Sequence, residues 1–408
     1  MNKLSASFIF LFEGFLSGFA MKLAYTTYII YRVDVLGLDP LQLVLAGTVL
    51  ESTVFIFEIP TGVVADLYSR RLSSILGFGL LGLGILVEGL VPLFSILLLS
   101  QIIAGIGWTF ISGAYTAWIT DEVGTDKVGD LFLRADQLDI LGALTAIPVA
   151  VWLANFNLAS PYWVGGGLMI AMALFMAFFM PENGFTRAPK EERQGWQSLL
   201  APVREGIGII RGRSVLMLFT VIALLVGLYS EAWDRLAQPL LLENFTFPNL
   251  MGLEMDAIAW FGLLNAAVLI LSLIANQIAR RVVDTSQSAQ LLKALQWIFM
   301  GMVLAIVVFA LSGQFFVAVA ALLIFDILRA LSHPLSNAWL NQQIDSKLRA
   351  TLLSMTGQLD ALGQLSGGPF LGWIGRLRSL RTALLTAALV LSPVSGLYAR
   401  IRRLTQSD

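Results

Sequence analysis

The hydropathy pattern of the chain is a series of long apolar runs separated by short polar breaks. A helix needs about 20 apolar residues to cross the hydrocarbon core of a bilayer. Cuts at charged, proline-containing and glycine-rich breaks divide the sequence into twelve runs of that length. The predicted spans are 8–31, 41–65, 73–93, 95–119, 132–156, 159–180, 214–241, 256–279, 290–312, 314–338, 351–374 and 381–400. The pattern therefore predicts an all-α integral membrane protein with twelve transmembrane helices.

The longest polar stretch, residues 181–213, falls after the sixth predicted span. Its prolines, glycines and mixed charges are typical of a linker, and we expect an interfacial helix around Trp196–Ile210 within it. The stretch predicts two halves of six helices, residues 1–180 and 214–400. Residues 401–408 then form a short tail.

The two halves share residues at a constant offset of 221 positions, without a gap. Shared tryptophan, proline and aspartate residues carry more weight here than shared leucine, which is common in every apolar span. The matching pairs are Trp118 and Trp339, Asp139 and Asp360, Gly142 and Gly363, Pro148 and Pro369, and Trp152 and Trp373. A duplicated six-helix half is typical of transporters whose halves move about a central site.

Lysine and arginine residues are distributed unequally between the two sides of the predicted membrane. With the N-terminus in the cytoplasm, eighteen of them lie on the cytoplasmic side and four on the outer side. Arg32 is one of the outer four, and the other three, Arg376, Arg378 and Arg381, share one loop. Because cytoplasmic loops are enriched in these residues, we expect both termini to be cytoplasmic.

The composition supports a membrane protein and excludes several kinds of chemistry. The chain is 57% hydrophobic and 13% charged, with a mean hydropathy of +0.79, whereas soluble domains have about 25% charged residues. It has no cysteine and one histidine, so we expect no metal site and no cofactor. The net charge of −1 gives no indication of nucleic-acid binding. No Gly-x-x-x-x-Gly-Lys-Ser/Thr motif is present, which argues against ATP hydrolysis by this chain.

Residues Gly62, Asp66, Arg70 and Arg71 form the pattern Gly-x-x-x-Asp-x-x-x-Arg-Arg between the second and third spans. This pattern resembles the signature loop of the major facilitator superfamily. The resemblance implies that superfamily's fold, two pseudo-symmetric six-helix halves, and a secondary transporter rather than an enzyme. A monomer in the bacterial inner membrane is the implied form.

Three stretches, "GTVLESTVFIFEIPTGVVADLYSRR", "SGAYTAWITDEVG" and "SEAWDRLAQPLLL", resemble the drug:proton antiporter branch of that superfamily. Two positions depart from the branch. Antiporters usually have an arginine on the fourth span in an Arg-x-x-x-Gly-x-Gly setting, where this chain has Gln101. The glycine-proline pattern usual on the fifth span is replaced by Ile147-Pro148.

Three acidic residues within the spans are candidates for proton coupling. Charges in a span are costly, about 2.5–3.5 kcal/mol each on insertion scales, and tend to be retained for function. Glu51 and Glu58 lie seven residues apart and therefore on one helix face, and Glu13 lies on the first span. A carboxyl group in a poorly hydrated cavity can carry a proton near neutral pH. The structural alternative is a hydrogen bond that shapes the kink at Pro60.

Eight further residues are candidates for lining a substrate cavity. Spacing places Lys22 and Tyr25 on one face, and Arg235 one turn from Glu231. Asp326 and Arg329 also share a face, which predicts either a local ion pair or a site. The alternative for all the charged residues is ion pairing that serves only assembly. The candidates are Lys22, Tyr25, Tyr115, Glu231, Asp234, Arg235, Asp326 and Arg329.

For other polar and aromatic residues a structural role is the simpler expectation. Asp139 and Asp360 are related by the repeat. A residue present in both copies is most simply explained by helix packing that both halves require. Glu88 lies near the end of its span and is expected at the membrane interface. Most tryptophans are expected there too. Those considered are Trp118, Trp233, Trp260, Trp297 and Trp339.

The superfamily resemblance also implies a gating role for the loop between the second and third spans. Asp66 is expected to face the start of the eleventh span, near Arg349 and Thr351, where a helix N-terminus favours an anion. Asp121, at the end of the fourth span, is expected to pair with one of the two arginines of the loop.

These observations and the resemblance together predict proton-coupled export of hydrophobic or amphipathic small molecules by alternating access. Its partners would be a small-molecule substrate, protons and the lipid bilayer. Two alternatives remain open at this stage. One is a proton-coupled importer of a small anionic metabolite, which Lys22, Arg235 and Arg329 would suit. The other is a transporter-like fold that acts as a receptor without transport.

Overall fold

A computed structural model describes residues 3–186, 208, 210, 212–250, 252–343 and 346–407, and for 346–354 and 407 it describes the backbone only. The expected interfacial helix around Trp196–Ile210 and most of the linker lie outside this part of the chain. The described residues form helices joined by short turns and loops, with one isolated β-bridge between Leu250 and Leu253.

Twelve helical spans follow one another along the described chain, so the predicted fold class is confirmed. They are α1 Ala6–Tyr25, α2 Pro40–Leu67, α3 Arg70–Leu90, α4 Phe94–Ile111 with Ala114–Val123, α5 Thr125–Phe156, α6 Ser160–Phe179, α7 Ser214–Asn244, α8 Ala257–Val282, α9 Ser288–Leu311, α10 Phe315–Gln343, α11 Ser346–Leu377 and α12 Leu380–Leu391 with Pro393–Ser407. By length and composition eleven of them could cross a membrane, and α11 is not among these.

Several helices differ from the apolar runs that predicted them. α4 is interrupted at Gly113, whose φ of 71° suits a residue without a side chain. α5 begins at Thr125, before its apolar run, because a helix satisfies its own backbone hydrogen bonds even where the residues are polar. α1 is followed by a short helical extension that ends in the π-helical turn Tyr31–Val35.

The chain divides into two compact units that nearly follow the sequence halves. Unit 1 comprises Met1–Leu38, Val49–Arg193 and Pro248–Ala266, and unit 2 comprises Asp39–Thr48, Gln194–Phe247 and Ala267–Asp408. The start of α2 therefore belongs to unit 2, and the start of α8 belongs to unit 1.

Within each unit, one pair of helices packs unusually closely through glycine. In unit 1, a Cβ at Gly18 of α1 would lie 2.2 Å from the backbone oxygen of Asp139 on α5. In unit 2, a Cβ at Gly227 of α7 would lie 2.0 Å from the backbone oxygen of Asp360 on α11. Glycine is needed at both positions because any side chain would separate the helices.

The second helix of each pair also contributes a glycine to the contact, α5 against α1 and α11 against α7. A Cβ at Gly142 would lie 2.2 Å from the oxygen of Phe15, and a Cβ at Gly363 would lie 2.4 Å from that of Leu224. α5 and α11 keep the offset of 221 positions, whereas α1 and α7 are related by an offset of 209. The two units therefore contain equivalent helix pairs.

The start of α2 is held in unit 2 by contacts along α11. Asp39 accepts a hydrogen bond from the backbone of Gln42 at 2.9 Å, which caps α2. Its other carboxylate oxygen lies 3.4 Å from Nε of Arg376. Farther along, a Cβ at Gly372 would lie 3.0 Å from the Cβ of Val44.

Candidate transport sites

The signature loop is built around the side chain of Arg70. Its guanidinium donates to the Asp121 carboxylate and, at 3.1 Å, to the backbone oxygen of Ala117. Asp66 lies one turn away at 3.8 Å and remains 64% exposed. The expected pair between Asp121 and a loop arginine is therefore present, while its role in gating stays a prediction. The expected neighbours of Asp66, Arg349 and Thr351, lie outside the described side chains.

The second loop arginine makes a different contact, because Arg71 donates to the backbone oxygen of Ala177 at 2.5 Å. Gly62 has open space around it, so it is not required there for close packing. The sequence did not indicate Glu182, which accepts hydrogen bonds from the Ser69 hydroxyl and from the Arg71 backbone. This carboxylate therefore lies against the N-terminus of α3, where a negative charge is favoured.

Glu13 is the most buried of the three proton-coupling candidates, with 9% of its surface exposed. Its polar neighbours are Ser17 on the same helix, the Tyr115 hydroxyl and Asp139 on α5. No basic side chain of the described residues forms an ion pair with Glu13. The carboxyl therefore lies in unit 1 beside hydroxyl groups and a second acid.

Tyr115 lies in the core of unit 1, where its ring stacks on Phe10 and Trp118 at centroid distances of 5.3 Å. It is 5% exposed. This burial removes it from any aromatic surface that could receive a flat ligand. The structure instead places its hydroxyl beside Glu13.

Glu51 and Glu58 differ in burial although they share a face of α2. Glu51 is half-buried, whereas Glu58 is exposed, together with the residues around Pro60. Both candidates on α2 are therefore more accessible to solvent than the buried Glu13.

Lys22 reaches α8 within unit 1. Its Nζ donates to Oδ1 of Asn265 at 2.5 Å, and the Asn265 amide donates to the backbone oxygen of Phe261 at 2.8 Å. Tyr25, which shares the face of Lys22, makes an edge contact with Tyr162 at 6.2 Å. One acceptor of the Lys22 ammonium group is thus a neutral amide.

The charged candidates of unit 2 include an ion pair between two helices. Both carboxylate oxygens of Asp234 accept from Arg329, whose Nη2 lies 2.9 Å from Oδ2. Asp326 accepts from the Trp233 indole at 3.1 Å. Arg329 thus has a bidentate partner on the facing α7, and Asp326, the local neighbour expected from helix spacing, also lies near it.

The expected pair on α7 is present, because Nε of Arg235 lies 3.3 Å from Oε2 of Glu231. Glu231 is buried, with 3% of its surface exposed. A Cβ at Gly47 of α2 would lie 2.2 Å from that same oxygen, so the start of α2 passes directly over the ion pair.

Glu88, expected at the membrane interface, is buried within the protein near the end of α3. Its side chain and that of Arg32 are each 1% exposed and lie 2.8 Å apart. Gln101 and Tyr162 also donate to the Glu88 carboxylate, each at 3.0 Å. A buried acid paired with a base from another helix leaves no periodic signal, so the sequence could not reveal this cluster.

The tryptophans also correct an expectation. Trp118, Trp233, Trp260 and Trp339 are at most 4% exposed, and of the five considered only Trp297 is exposed. Trp233 stacks with Phe325 at a centroid distance of 3.8 Å in the core of unit 2. The four buried tryptophans lie between packed helices, because burying their large apolar area is favourable.

An apolar groove of about 450 Å³ lies between α9 and α10, and none of the candidate residues lines it. Its lining contains small and large apolar residues and no charged side chain. It is therefore separate from the candidate sites. The lining residues are Gly301, Leu304, Ala305, Val308, Phe316, Val317, Ala320, Ala321 and Ile324.

Comparison with known proteins places this architecture among transporters. The model of the family described as Major Facilitator Superfamily matches residues 10–368. The chain is 23% identical over 402 residues to the uncharacterized MFS-type transporter YxaM of Bacillus subtilis (strain 168), covering 96% of this chain and 95% of that one. A partial match to the multidrug resistance protein MdtH of Proteus mirabilis (strain HI4320) is 27% identical over 133 residues and covers 32% and 33% of the two chains.

Solved structures share the fold at low sequence identity. A mutant form of the nucleoside transporter NupG superimposes with a TM-score of 0.78 at 13% identity, covering 97% of this chain and 100% of that one. At this identity the similarity concerns the fold and carries no information on the substrate.

Proposed function

The chain belongs to the Major Facilitator Superfamily of membrane transporters, and from this premise we propose that it exports hydrophobic or amphipathic small molecules in exchange for protons. Export would proceed by alternating access. The chain would act as a monomer in the bacterial inner membrane with both termini in the cytoplasm. The family is one of transporters, not of enzymes.

The observation that carries the proton-coupling proposal is the environment of Glu13. A coupling carboxyl must be shielded from water and must not be held permanently by a base. Glu13 meets both conditions in the described residues, with Ser17 and Tyr115 as hydroxyl neighbours. A proton on Glu13 would remove a charge whose burial is costly. Glu51 is the second candidate, because it is half-buried on α2, and Glu58 is the third.

The preference for apolar or amphipathic substrates rests on the charged residues of unit 2. Arg329 and Arg235 are each engaged by a carboxylate of α7. Bases already neutralised by the protein are poor receptors for an anionic substrate, because binding would require breaking an ion pair. The partial similarity to MdtH, a protein described as a multidrug resistance protein, agrees with this preference.

Lys22 supports a second candidate function, import of a small anionic metabolite. Its ammonium group donates to the neutral Asn265 amide. A substrate carboxylate would be a stronger acceptor than an amide. Import would then be coupled to protons through the same acid, Glu13.

The signature loop would act as a gate in either case. The contacts among Asp66, Arg70 and Asp121 would form in one state of the cycle and break in the other. A cation held by one carboxylate at the end of α2 and another at the end of α4 is suited to this role, because partly exposed pairs are weak enough to exchange.

The experiment that tests the proposal uses inverted membrane vesicles with an imposed proton gradient and a pH-sensitive dye. A panel of dyes, lipophilic cations and small carboxylates is added, and proton release that accompanies uptake is recorded. We expect lipophilic compounds to release protons with the parent chain and not with Glu13→Gln. A response to carboxylates alone would favour the anionic alternative.

Glu58→Gln, at the third candidate, is the comparison variant, because it makes the same chemical change at an exposed acid of α2. We expect it to retain most of the proton-driven signal, and Glu51→Gln to show an intermediate loss. Substrate exchange without a gradient should persist in Glu13→Gln, since a neutral side chain still permits the conformational cycle. Proton-driven uptake that is unchanged in Glu13→Gln would refute the assignment of Glu13.

A further inference from the structure

One exposed face of α9 runs from a lysine near the start of the helix to apolar residues farther along. Lys293, Trp297, Met300, Leu304 and Val308 recur at intervals of three or four residues, so they share this face, and all five are exposed. Tryptophan is favoured at the level of the lipid headgroups, and the apolar residues beyond it suit the hydrocarbon core. The face therefore has the order of a phospholipid, with the charge first and the apolar part after it.

The second half of α12 has an exposed face of the same kind. Pro393, Gly396, Arg400 and Arg403 also recur at intervals of three or four residues, and all four are exposed. Gly396 has open space where a Cβ would lie. This face is therefore apolar and without bulk in its first part and basic at its end.

α9 and α12 pack against each other within unit 2. The Ser395 hydroxyl donates to the backbone oxygen of Gln296 at 3.1 Å, and the ring of Tyr398 stacks on Phe299 at a centroid distance of 5.4 Å. Successive spans cross a membrane in opposite directions, so α9 begins at the end of unit 2 where α12 finishes. The basic ends of the two exposed faces therefore lie at the same end of the unit.

Three exposed bases gather there, Lys293, Arg400 and Arg403. Lys293 precedes Gln296 by three residues and Arg400 follows Ser395 by five, so both lie within about 8 Å of that contact along their helix axes. None of the three forms an ion pair with an acid in the part of the chain that the structure describes. Bases without an acid at the end of a membrane span attract anionic lipid headgroups.

The length of the exposed face of α9 matches one acyl chain. Leu304 follows Lys293 by eleven residues, which is about 16 Å along a helix. Half of the hydrocarbon core, the depth that one acyl chain occupies, is about 15 Å. Gly301 and Leu304 line the apolar groove between α9 and α10. A chain whose headgroup lies at Lys293 therefore passes Trp297 and reaches this groove.

We propose that unit 2 binds an anionic phospholipid, with the headgroup phosphate at Lys293, Arg400 and Arg403 and one acyl chain along Trp297 towards Gly301. A zwitterionic headgroup binds more weakly there, because it brings its own cation to a surface that is already basic. The site needs no transport substrate, so it goes beyond the proposed function and can be tested independently of it.

The test uses the purified full chain in an uncharged detergent and follows tryptophan fluorescence. Phosphatidylglycerol or phosphatidylcholine with brominated acyl chains is added, because bromine quenches the tryptophans that contact it. The part of the quenching that is lost in W297F reports binding at this site. The variants are K293Q, K293R, R400Q with R403Q, and the matched control R280Q with R281Q.

The control removes two exposed arginines from the end of α8, in the same unit. Each base near a membrane surface strengthens the binding of an anionic lipid about fivefold. We expect K293Q to weaken the binding of phosphatidylglycerol about fivefold and R400Q with R403Q about 25-fold. K293R, which keeps the charge, should bind like the parent chain, and the control should change the binding by less than about twofold.

Four outcomes would overturn the proposal. Equal affinity for phosphatidylcholine would mean that the headgroup charge is not recognised, and full displacement by inorganic phosphate would indicate a site for a free anion. Equal losses in the control and in R400Q with R403Q would indicate a general attraction to basic residues. Shielding of Trp297 from both lipids in a dimer, detected by light scattering, would assign the face to a second copy of the chain.

Discussion

Asp139 on α5 and Asp360 on α11 occupy equivalent positions in the two units, but their polar neighbours differ. Asp139 lies near two other acids, Glu13 and Asp136. Asp360 accepts from the Gln364 amide at 2.7 Å and lies near the bases Arg329 and His333. Around this repeated aspartate, unit 1 therefore gathers further acids, whereas unit 2 places bases beside the acid.

The helix framework around these two aspartates is nevertheless alike. A glycine of the preceding helix lies against the backbone of each, Gly18 in unit 1 and Gly227 in unit 2. Close helix packing constrains the small residues, because any added atom separates the helices. Charged residues that face a hydrated region are less constrained, so they could diverge after the duplication. The difference is a division between the two units at this position, with neighbouring acids around Asp139 and neighbouring bases around Asp360.

The largest expected effect tests this division directly. Asp234→Asn leaves the partly buried Arg329 without its bidentate partner, which should cost about 3 kcal/mol of unfolding free energy. Glu13→Gln removes no ion pair in the described residues and should cost about 1 kcal/mol or less. Denaturant titration in detergent, followed by tryptophan fluorescence, measures both.

The control is the double variant Asp234→Asn with Arg329→Gln, which removes both charges of the pair. It should recover most of the loss, since replacing a complete buried pair is often nearly neutral. Similar costs for Asp234→Asn and Glu13→Gln would mean that Asp234 and Glu13 contribute equally to stability, and would contradict the contrast drawn between their surroundings.

An effect of intermediate size tests whether the two frameworks are equivalent. Gly18→Ala and Gly227→Ala would each bring a methyl group within about 2 Å of a backbone oxygen of the facing helix. We expect losses of about 1–3 kcal/mol at both positions, because overpacking shifts the backbone. The same denaturant titration compares them.

Two helical glycines with open space around them are matched controls, Gly167 on α6 and Gly357 on α11. Alanine there should be neutral or should stabilise by up to about 1 kcal/mol, because alanine is the better helix former. A loss at only one of Gly18 and Gly227 would show that the close packing is not common to both units.

The twelve helices and the duplication could be predicted from the sequence for a physical reason. A bilayer requires long apolar helices that satisfy their own backbone hydrogen bonds, so each span is visible as a run. The offset that links Asp139 with Asp360 could be read because the helix pair packs alike in both units. The contact of Arg70 with Asp121 followed from the signature loop.

The partners of buried charges could not be predicted in the same way. Helix spacing identifies neighbours on one helix, such as Glu231 and Arg235, but says nothing of the helix opposite. The bidentate partner of Arg329 is therefore Asp234 of the facing α7, and Glu88 is buried against Arg32. Both outcomes depend on tertiary packing between segments that are more than 50 residues apart.

The smallest expected effect concerns two tryptophans at equivalent positions. Trp118 and Trp339 are both almost fully buried. The Trp118 indole donates to the backbone oxygen of Pro181 at 2.8 Å. The Trp339 indole nitrogen has no hydrogen-bond partner among the described residues. Trp118→Phe and Trp339→Phe remove the same volume, so the difference between their unfolding free energies isolates the hydrogen bond.

We expect Trp118→Phe to cost about 1 kcal/mol more than Trp339→Phe, the usual net contribution of one hydrogen bond. The two variants control each other, because ring loss and cavity formation should nearly cancel between equivalent sites. Equal losses would place a hydrogen-bond acceptor near Trp339. A larger loss at Trp118 would show that α4 is tied to the segment after α6 by a bond that the second copy of the repeat does not reproduce.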